Sequence, residues 1–121
     1  MFKMIYCVRK KSDMSKDEFY DYWLNKHGPL VAKQASIAGM KRYIQSHTVA
    51  FDLNDLIKTT NGMADYYDGV AEIWFDSQEA FFAASGTPEA QEANALIGED
   101  AQKFIDVSSS CIFFTEEHTI F

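Results

Sequence analysis

Three histidines, His27, His47 and His118, are the natural candidates for chemistry in this sequence. An imidazole titrates at about 6.5 when unperturbed, so it can take or give a proton near neutrality. His27 lies four residues after Trp23 and directly before Gly28-Pro29, which puts it on the apolar stripe at the end of a helix. His47 ends a strand-like run and shares a face with Tyr43, whose phenol can hydrogen-bond a developing oxyanion. His118 follows Glu116-Glu117 behind the last strand. A histidine on an apolar stripe is also a common core residue, and one at a strand end a common surface residue. Type and position alone leave both uses open.

Other chemistries have less support. There is no closely spaced histidine pair, no Cys-x-x-Cys and no dense carboxylate loop, so no bound metal is expected. No glycine-rich phosphate loop and no flavin or nicotinamide fingerprint occurs, so no cofactor is expected. Cys7 and Cys111 make no disulfide framework and read as reduced, buried structural thiols on strands of a cytoplasmic protein. The formal net charge of -7 argues against nucleic acid. The charge is uneven: residues 1–50 hold nine basic and four acidic residues, the remainder two and fourteen. Arg9-Lys10-Lys11, the only basic run, reads as a solvated strand end. No apolar stretch is long enough to cross a membrane, and the first residues lack a signal-peptide pattern.

The elements that must position these residues can be read from periodicity. Residues 2–9 alternate, with Met4, Tyr6 and Val8 on one face of a strand and Lys3, Ile5, Cys7 and Arg9 on the other. Ser15 and Glu18 form a capping box for a helix carrying Phe19, Tyr22 and Trp23, which Gly28-Pro29 should end or kink. Another helical turn fits residues 30–38, closed by Gly39. Residues 40–47 read as a second strand with Tyr43, Gln45 and His47 on one face. Residues 48–68 form a long connection, with a short helix around Phe51, Leu53, Leu56 and Ile57; a connection of this length can serve as a lid. Residues 69–75 read as a third strand. Asp76-Ser77 can cap a helix over 78–84, and Thr87-Pro88 opens another carrying Ala93, Leu96, Ile97, Ala101, Phe104 and Ile105. Residues 109–117 read as the fourth strand. The order β-α-β, long connection, β-α-β predicts one α+β domain over residues 1–121, a ferredoxin-like βαββαβ protomer.

Such a protomer has one sheet face without helices. The third strand nevertheless offers Val70 and Trp74 on one side against Ala71, Ile73 and Phe75 on the other. The fourth offers Cys111 and Phe113 against Ile112 and Phe114. Strands apolar on both faces need cover on both, and a second copy of the sheet supplies it, which predicts a homodimer. The alternative is the long connection folding over the open face.

Four segments together resemble the EthD-domain family. They are Tyr22-Trp23-Leu24-Asn25-Lys26-His27-Gly28-Pro29-Leu30-Val31, then Lys41-Arg42-Tyr43-Ile44-Gln45-Ser46-His47, then Tyr67-Asp68-Gly69-Val70-Ala71-Glu72-Ile73-Trp74-Phe75, and Phe113-Phe114-Thr115-Glu116-Glu117-His118. The resemblance implies a dimeric α+β barrel with a pocket between sheet and helices in each subunit. It implies His27 as the leading catalytic candidate, with His47, His118 and Tyr43 at the pocket. Tyr6, Trp23 and Trp74 are the aromatic side chains expected to meet the substrate beside His118. Relatives implied by it include a methylmuconolactone isomerase, polyketide dehydratases or cyclases and, further away, cofactor-free oxygenases. The expected function is therefore a cofactor-independent acid/base enzyme, an isomerase, dehydratase or lyase, for a small cyclic or aromatic carbonyl compound. A cofactor-free oxygenase and a non-catalytic small-molecule-binding accessory protein of a degradation pathway are the alternatives.

Overall fold

The computed structural model describes residues 1–121. Its first strand, β1 (Phe2–Val8), lies inside a four-stranded antiparallel sheet of order β2-β3-β1-β4. β2 is Arg42–His47, β3 is Gly69–Phe75 and β4 is Cys111–Glu116. Met4 pairs with both Ile73 and Phe114, and Tyr6 with Ala71 and Ile112. Tyr43 pairs with Ile73, so β2 presents Tyr43, Gln45 and His47 on that same face. The period of two sends Lys3, Ile5 and Cys7, with Arg42, Ile44 and Ser46, to the opposite face.

Five helices flank the strands: α1 (Lys16–Tyr22), α2 (Gly28–Gln34), α3 (Phe51–Asn61), α4 (Gln78–Ser85) and α5 (Pro88–Ala101). Their starts are written in the sequence. The Ser15 hydroxyl accepts from the Glu18 N–H at 3.1 Å, and the Glu18 carboxylate accepts from the Ser15 N–H at 3.2 Å. Ser77 and Thr87 cap α4 and α5 through the amides of Ala80 and Ala90. α3 ends at Gly62, which takes the left-handed conformation that the Asn61-Gly62 pair favours.

One reading is sharpened and one changes. Gly28-Pro29 does not end the first helix but follows a distortion in it: the chain passes through a π-turn, Trp23–His27, and continues as α2 with Pro29 in its first turn. Proline costs nothing there because its missing N–H falls where the widened turn breaks the bonding pattern. α5 stops at Ala101, so Phe104 and Ile105 lie beyond the helix in the following turn. Both remain buried, and Lys11 N–H donates to the Phe104 carbonyl to hold that turn against the end of β1. The core forms on the helix-covered face from Val8, Phe19, Trp23, Ala71, Ala101, Phe104 and Ile105.

Candidate active site

Between that face and the helices lies a cavity of about 370 Å³, mostly apolar. Met4, Tyr6 and Val8 of β1 form its floor with Tyr43, Ala71 and Ile73; Trp23, His27 and Val31 form one wall; Ile97, Gly98 and Ala101 of α5 form another. Its dimensions suit one small organic molecule. His27 and Tyr43 are two of the few polar side chains that reach it.

His27 is buried, only 6% exposed. Its Nδ1 lies 2.8 Å from a carboxylate oxygen of Asp100. A carboxylate only accepts, so Nδ1 carries the hydrogen and Nε2 keeps its lone pair. Burial pushes the His27 pKa below its ordinary value, and the Asp100 carboxylate opposes that shift without overcoming it. The ring is therefore a neutral, oriented base at neutral pH. Asp100 has its own support: its other oxygen accepts from the Tyr22 hydroxyl at 2.6 Å, and Lys103 lies 3.6 Å away. Burial alone would raise the Asp100 pKa, but these bonds together bring it below the usual carboxylate range. Tyr22, shielded from water and bound to that carboxylate, is pushed up to about 12 and stays a donor.

A second chain of bonds fixes Tyr43. The Gln45 amide nitrogen donates to the Trp23 carbonyl at 2.8 Å and to the Tyr43 hydroxyl oxygen at 2.8 Å. The π-turn matters here, since it leaves the Trp23 carbonyl able to receive both the Gly28 N–H and Gln45. Gly28 leaves the space: an added Cβ would sit 3.2 Å from the Gln45 nitrogen. Because the Trp23 carbonyl only accepts, the amide cannot flip, and its oxygen faces His47 Nε2 at 2.7 Å. Tyr43 accepts from Gln45, so its own O–H is free to donate. Burial raises its pKa, partly offset by the Gln45 and Trp23 side chains, which keeps the phenol protonated.

Of the residues expected at the site, the structure brings His27, Tyr43, Tyr6 and Trp23 together around the cavity. Three lie elsewhere. His47 stacks on the far side of Trp23, ring centres 4.6 Å apart, and lines a separate open depression with Thr48, Asn54 and Tyr66. The indole stands between it and the cavity, so His47 reaches the site only through Gln45. Trp74 points to the opposite sheet face, because its register partners are Lys3 and Arg42, and both cations lie over its ring. His118 is exposed in the segment after β4. No residue of 48–68 lines the cavity, so that connection is not its lid in this protomer.

Asp100 and Gln45 do not stand out from sequence as site residues. Asp100 does leave a signal, a carboxylate between Ile97 and Ala101 on the apolar stripe of α5. Gln45 stands between Tyr43 and His47 on one strand face, where any polar group bridges its neighbours.

A ferredoxin-like α+β protomer with an apolar cavity and an oriented histidine is thus the class of protein that fold and site define. The chain belongs to the EthD-domain family, whose model matches residues 11–108. Among solved structures it is similar to an EthD family protein from Bacillus halodurans, at 24% identity and TM-score 0.63, covering 98% of this chain and 99% of that one. It is also similar to a dimeric protein of unknown function and ferredoxin-like fold from Bacteroides fragilis, at 13% identity and TM-score 0.58, covering 96% and 95%. A candidate antibiotic biosynthesis monooxygenase from Nitrosomonas europaea matches at 10% identity and TM-score 0.52, covering 98% and 100%. No functionally curated protein matches the sequence. No helix is long and apolar enough to cross a membrane.

Proposed function

We propose that this chain is a cofactor-independent acid/base enzyme, an isomerase, dehydratase or lyase, acting on a small cyclic or aromatic carbonyl compound. It works as a cytoplasmic homodimer. The observation that carries this reading is a neutral His27, oriented by Asp100, sharing an apolar cavity with a Tyr43 hydroxyl whose proton is free to donate. In the proposed step, His27 Nε2 removes a proton next to the substrate carbonyl. The electron pair moves onto the carbonyl oxygen, and the Tyr43 O–H donates to it. The Asp100 carboxylate stabilises the imidazolium formed. That proton then returns to another carbon, or to a departing hydroxyl, which decides between isomerisation and dehydration. Tyr6 and Trp23 supply flat apolar surface for the substrate ring.

The same carbanion meeting dioxygen would make the chain a cofactor-free oxygenase, and oxygen uptake during turnover would show it. A binding protein would hold such compounds without turnover.

The test works without identifying the product. Cyclic ketones, phenolic ketones and lactones are incubated with the protein in deuterated water, and exchange of the hydrogen next to the carbonyl is followed by mass spectrometry. The wild-type chain should accelerate exchange for a compound that binds. His27→Ala should lose about 10²–10⁴-fold of that rate and remain folded. Binding with no exchange by the wild type would leave the accessory-protein reading standing instead.

A further inference from the structure

The chain has six tyrosines, and five of their hydroxyls have a hydrogen-bond partner within the protomer. Tyr6 is the exception. Burial alone raises its pKa, with no hydrogen-bonding or charged neighbour contributing. A shielded phenol ordinarily finds a partner, because desolvating an unpaired hydroxyl is costly. Tyr6 stands on β1 between Ala71 of β3 and Ile112 of β4, half-buried, and its side chain lines the cavity.

Its place there differs from that of the His27–Tyr43 pair. Tyr43 rises from β2 at one edge of the sheet and Tyr6 from β1, with β3 between them. Neighbouring strands are about 4.8 Å apart, so the two backbones are separated by about 10 Å. β3 contributes only Ala71 and Ile73 to the floor, which leaves apolar surface between the two phenols. Beyond Tyr6 the cavity opens, where Ile112 and Val107 are 50% and 51% exposed. The rim amides of Asn94 and Gln102 are exposed and can be served by water. No lysine or arginine lines the cavity, and the carboxylate behind His27 is negative. An anionic group would therefore enter without a counter-charge.

We propose that Tyr6 is a specificity-determining residue whose hydroxyl binds a second, uncharged oxygen of the substrate, a hydroxyl or keto group remote from the carbonyl that meets His27 and Tyr43. This rests on the acid/base reading above and narrows its substrates to cyclic carbonyl compounds with two oxygen functions joined by apolar ring surface, carboxylates excluded. A phenol both donates and accepts, so it serves either group. An analogue lacking that oxygen leaves the Tyr6 hydroxyl unpaired and shut off from water, which is how such a site discriminates. The same contact fixes which carbon presents its hydrogen to His27 Nε2.

The experiment is calorimetric titration of the folded chain with matched cyclic ketones of one and two rings. Each set holds a parent ketone, the same compound with a hydroxyl remote from the carbonyl, and the same compound with a carboxylate there. One such set is built on 4-phenylcyclohexanone, substituted at the para position of its phenyl ring. The best hydroxylated compound should bind about tenfold or more tightly than its parent, and its carboxylate no better than the parent. In Tyr6→Phe the ratio of hydroxylated to parent affinity should fall to about one. The denaturant midpoint of that variant should not fall, since the hydroxyl holds nothing within the protein. The proposal is overturned if no set shows the ratio in the wild type, if the ratio survives in Tyr6→Phe, if the carboxylates bind best, or if the midpoint drops. A chain that shows the ratio without hydrogen exchange would end the acid/base reading alone. One that exchanges hydrogen without showing the ratio would end this proposal alone.

Discussion

The two faces of the one sheet solve opposite problems with the same strands. Beneath the helices, the two polar side chains assigned to the chemistry are tied down. His27 is held by Asp100, Asp100 by Tyr22, and Tyr43 by Gln45, which is itself held by the Trp23 carbonyl. What these two groups have left, an imidazole lone pair and a hydroxyl proton, is available to the cavity. On the open face the charges gather at one end, where Lys3 pairs with Glu72 at 2.6 Å and Trp74 donates to Glu117. Much of the rest is apolar: Ile5, Ile44 and Val70 are half-buried, and Phe113 is 46% exposed. The one buried side-chain polar atom without a partner, Thr115 Oγ1, also belongs to this face by register. α3 buries none of its residues, so the long connection does not complete this face. The contrast teaches that the protomer finishes its chemistry on one side and leaves its packing unfinished on the other.

The sharpest way to break the comparison is to disorder the finished side. Asp100→Asn keeps shape but replaces an obligate acceptor with a group that can also donate. His27 Nδ1 can then become the acceptor, moving the hydrogen to Nε2 and removing the base. We expect exchange activity to fall by about 10²-fold or more, with nitrogen-15 spectra showing the tautomer change in the absence of any substrate. The carboxylate also raises the His27 pKa, so the variant's imidazole should titrate at lower pH than the wild type. An unchanged tautomer and titration would show that Asp100 is structural only.

The unfinished side is tested next. Phe113→Glu puts a charge where a second copy is proposed to pack, and leaves the cavity face alone, because Phe113 pairs with Ile5 rather than with a cavity residue. Sedimentation should show a dimer for the wild type at micromolar concentration and a dimer weakened at least about tenfold for the variant, since an unpaired charge is costly to bury. A monomeric wild type would end the dimer proposal.

These two sides are not equally legible from sequence. Alternation in β3 and β4 shows both faces and the missing cover, and three helix caps read directly from Ser15, Ser77 and Thr87, because such signals are local. The Trp23–His27 spacing puts the imidazole at the seam, and β2 puts Tyr43 on the cavity face. Asp100 could not be assigned, since its contacts with Tyr22 and His27 join residues more than seventy positions apart. Trp74 falls outside the cavity for a different reason. A strand apolar on both faces does not say which face meets the helices, and only register with Lys3 and Arg42 settles it. His47 lost its place to Trp23, whose indole occupies the space that Gly69 leaves open: a Cβ on Gly69 would come within 2.5 Å of that ring.

A smaller effect is the pH response of stability. Burial lowers the pKa of both His27 and His47. Asp100, Tyr22 and Lys103 are the ionisable groups grouped around His27, and His47 faces Gln45, Trp23 and Tyr20. The unfolded chain takes up protons on both imidazoles at about 6.5, before the folded chain does. Their contribution to stability is therefore fully present above that pH and is lost as pH falls from it toward the folded values. Denaturant midpoints should fall over that window, less so in His27→Gln. A flat profile would mean that neither imidazole is buried in solution.

Gly98 gives the smallest expected change and separates the cavity wall from ordinary core. It lies inside α5, where glycine is about 0.8–1.0 kcal/mol less favourable than alanine, yet an added Cβ would meet nothing within 4 Å. Packing does not require glycine here, in contrast to Gly69 against the Trp23 ring. The residue lines the cavity, so the space its missing side chain leaves is cavity space. Gly98→Ala should raise stability by about 1 kcal/mol, read as a higher denaturant midpoint. The same methyl narrows the cavity, so the largest compounds that bind the wild type should bind the variant more weakly, while the smallest should not notice it. Absence of stabilisation would mean that the backbone needs glycine for a reason the helix does not display. Stabilisation with unchanged binding of large compounds would place Gly98 outside the working cavity, and the wall of the site would then have to be drawn closer to His27.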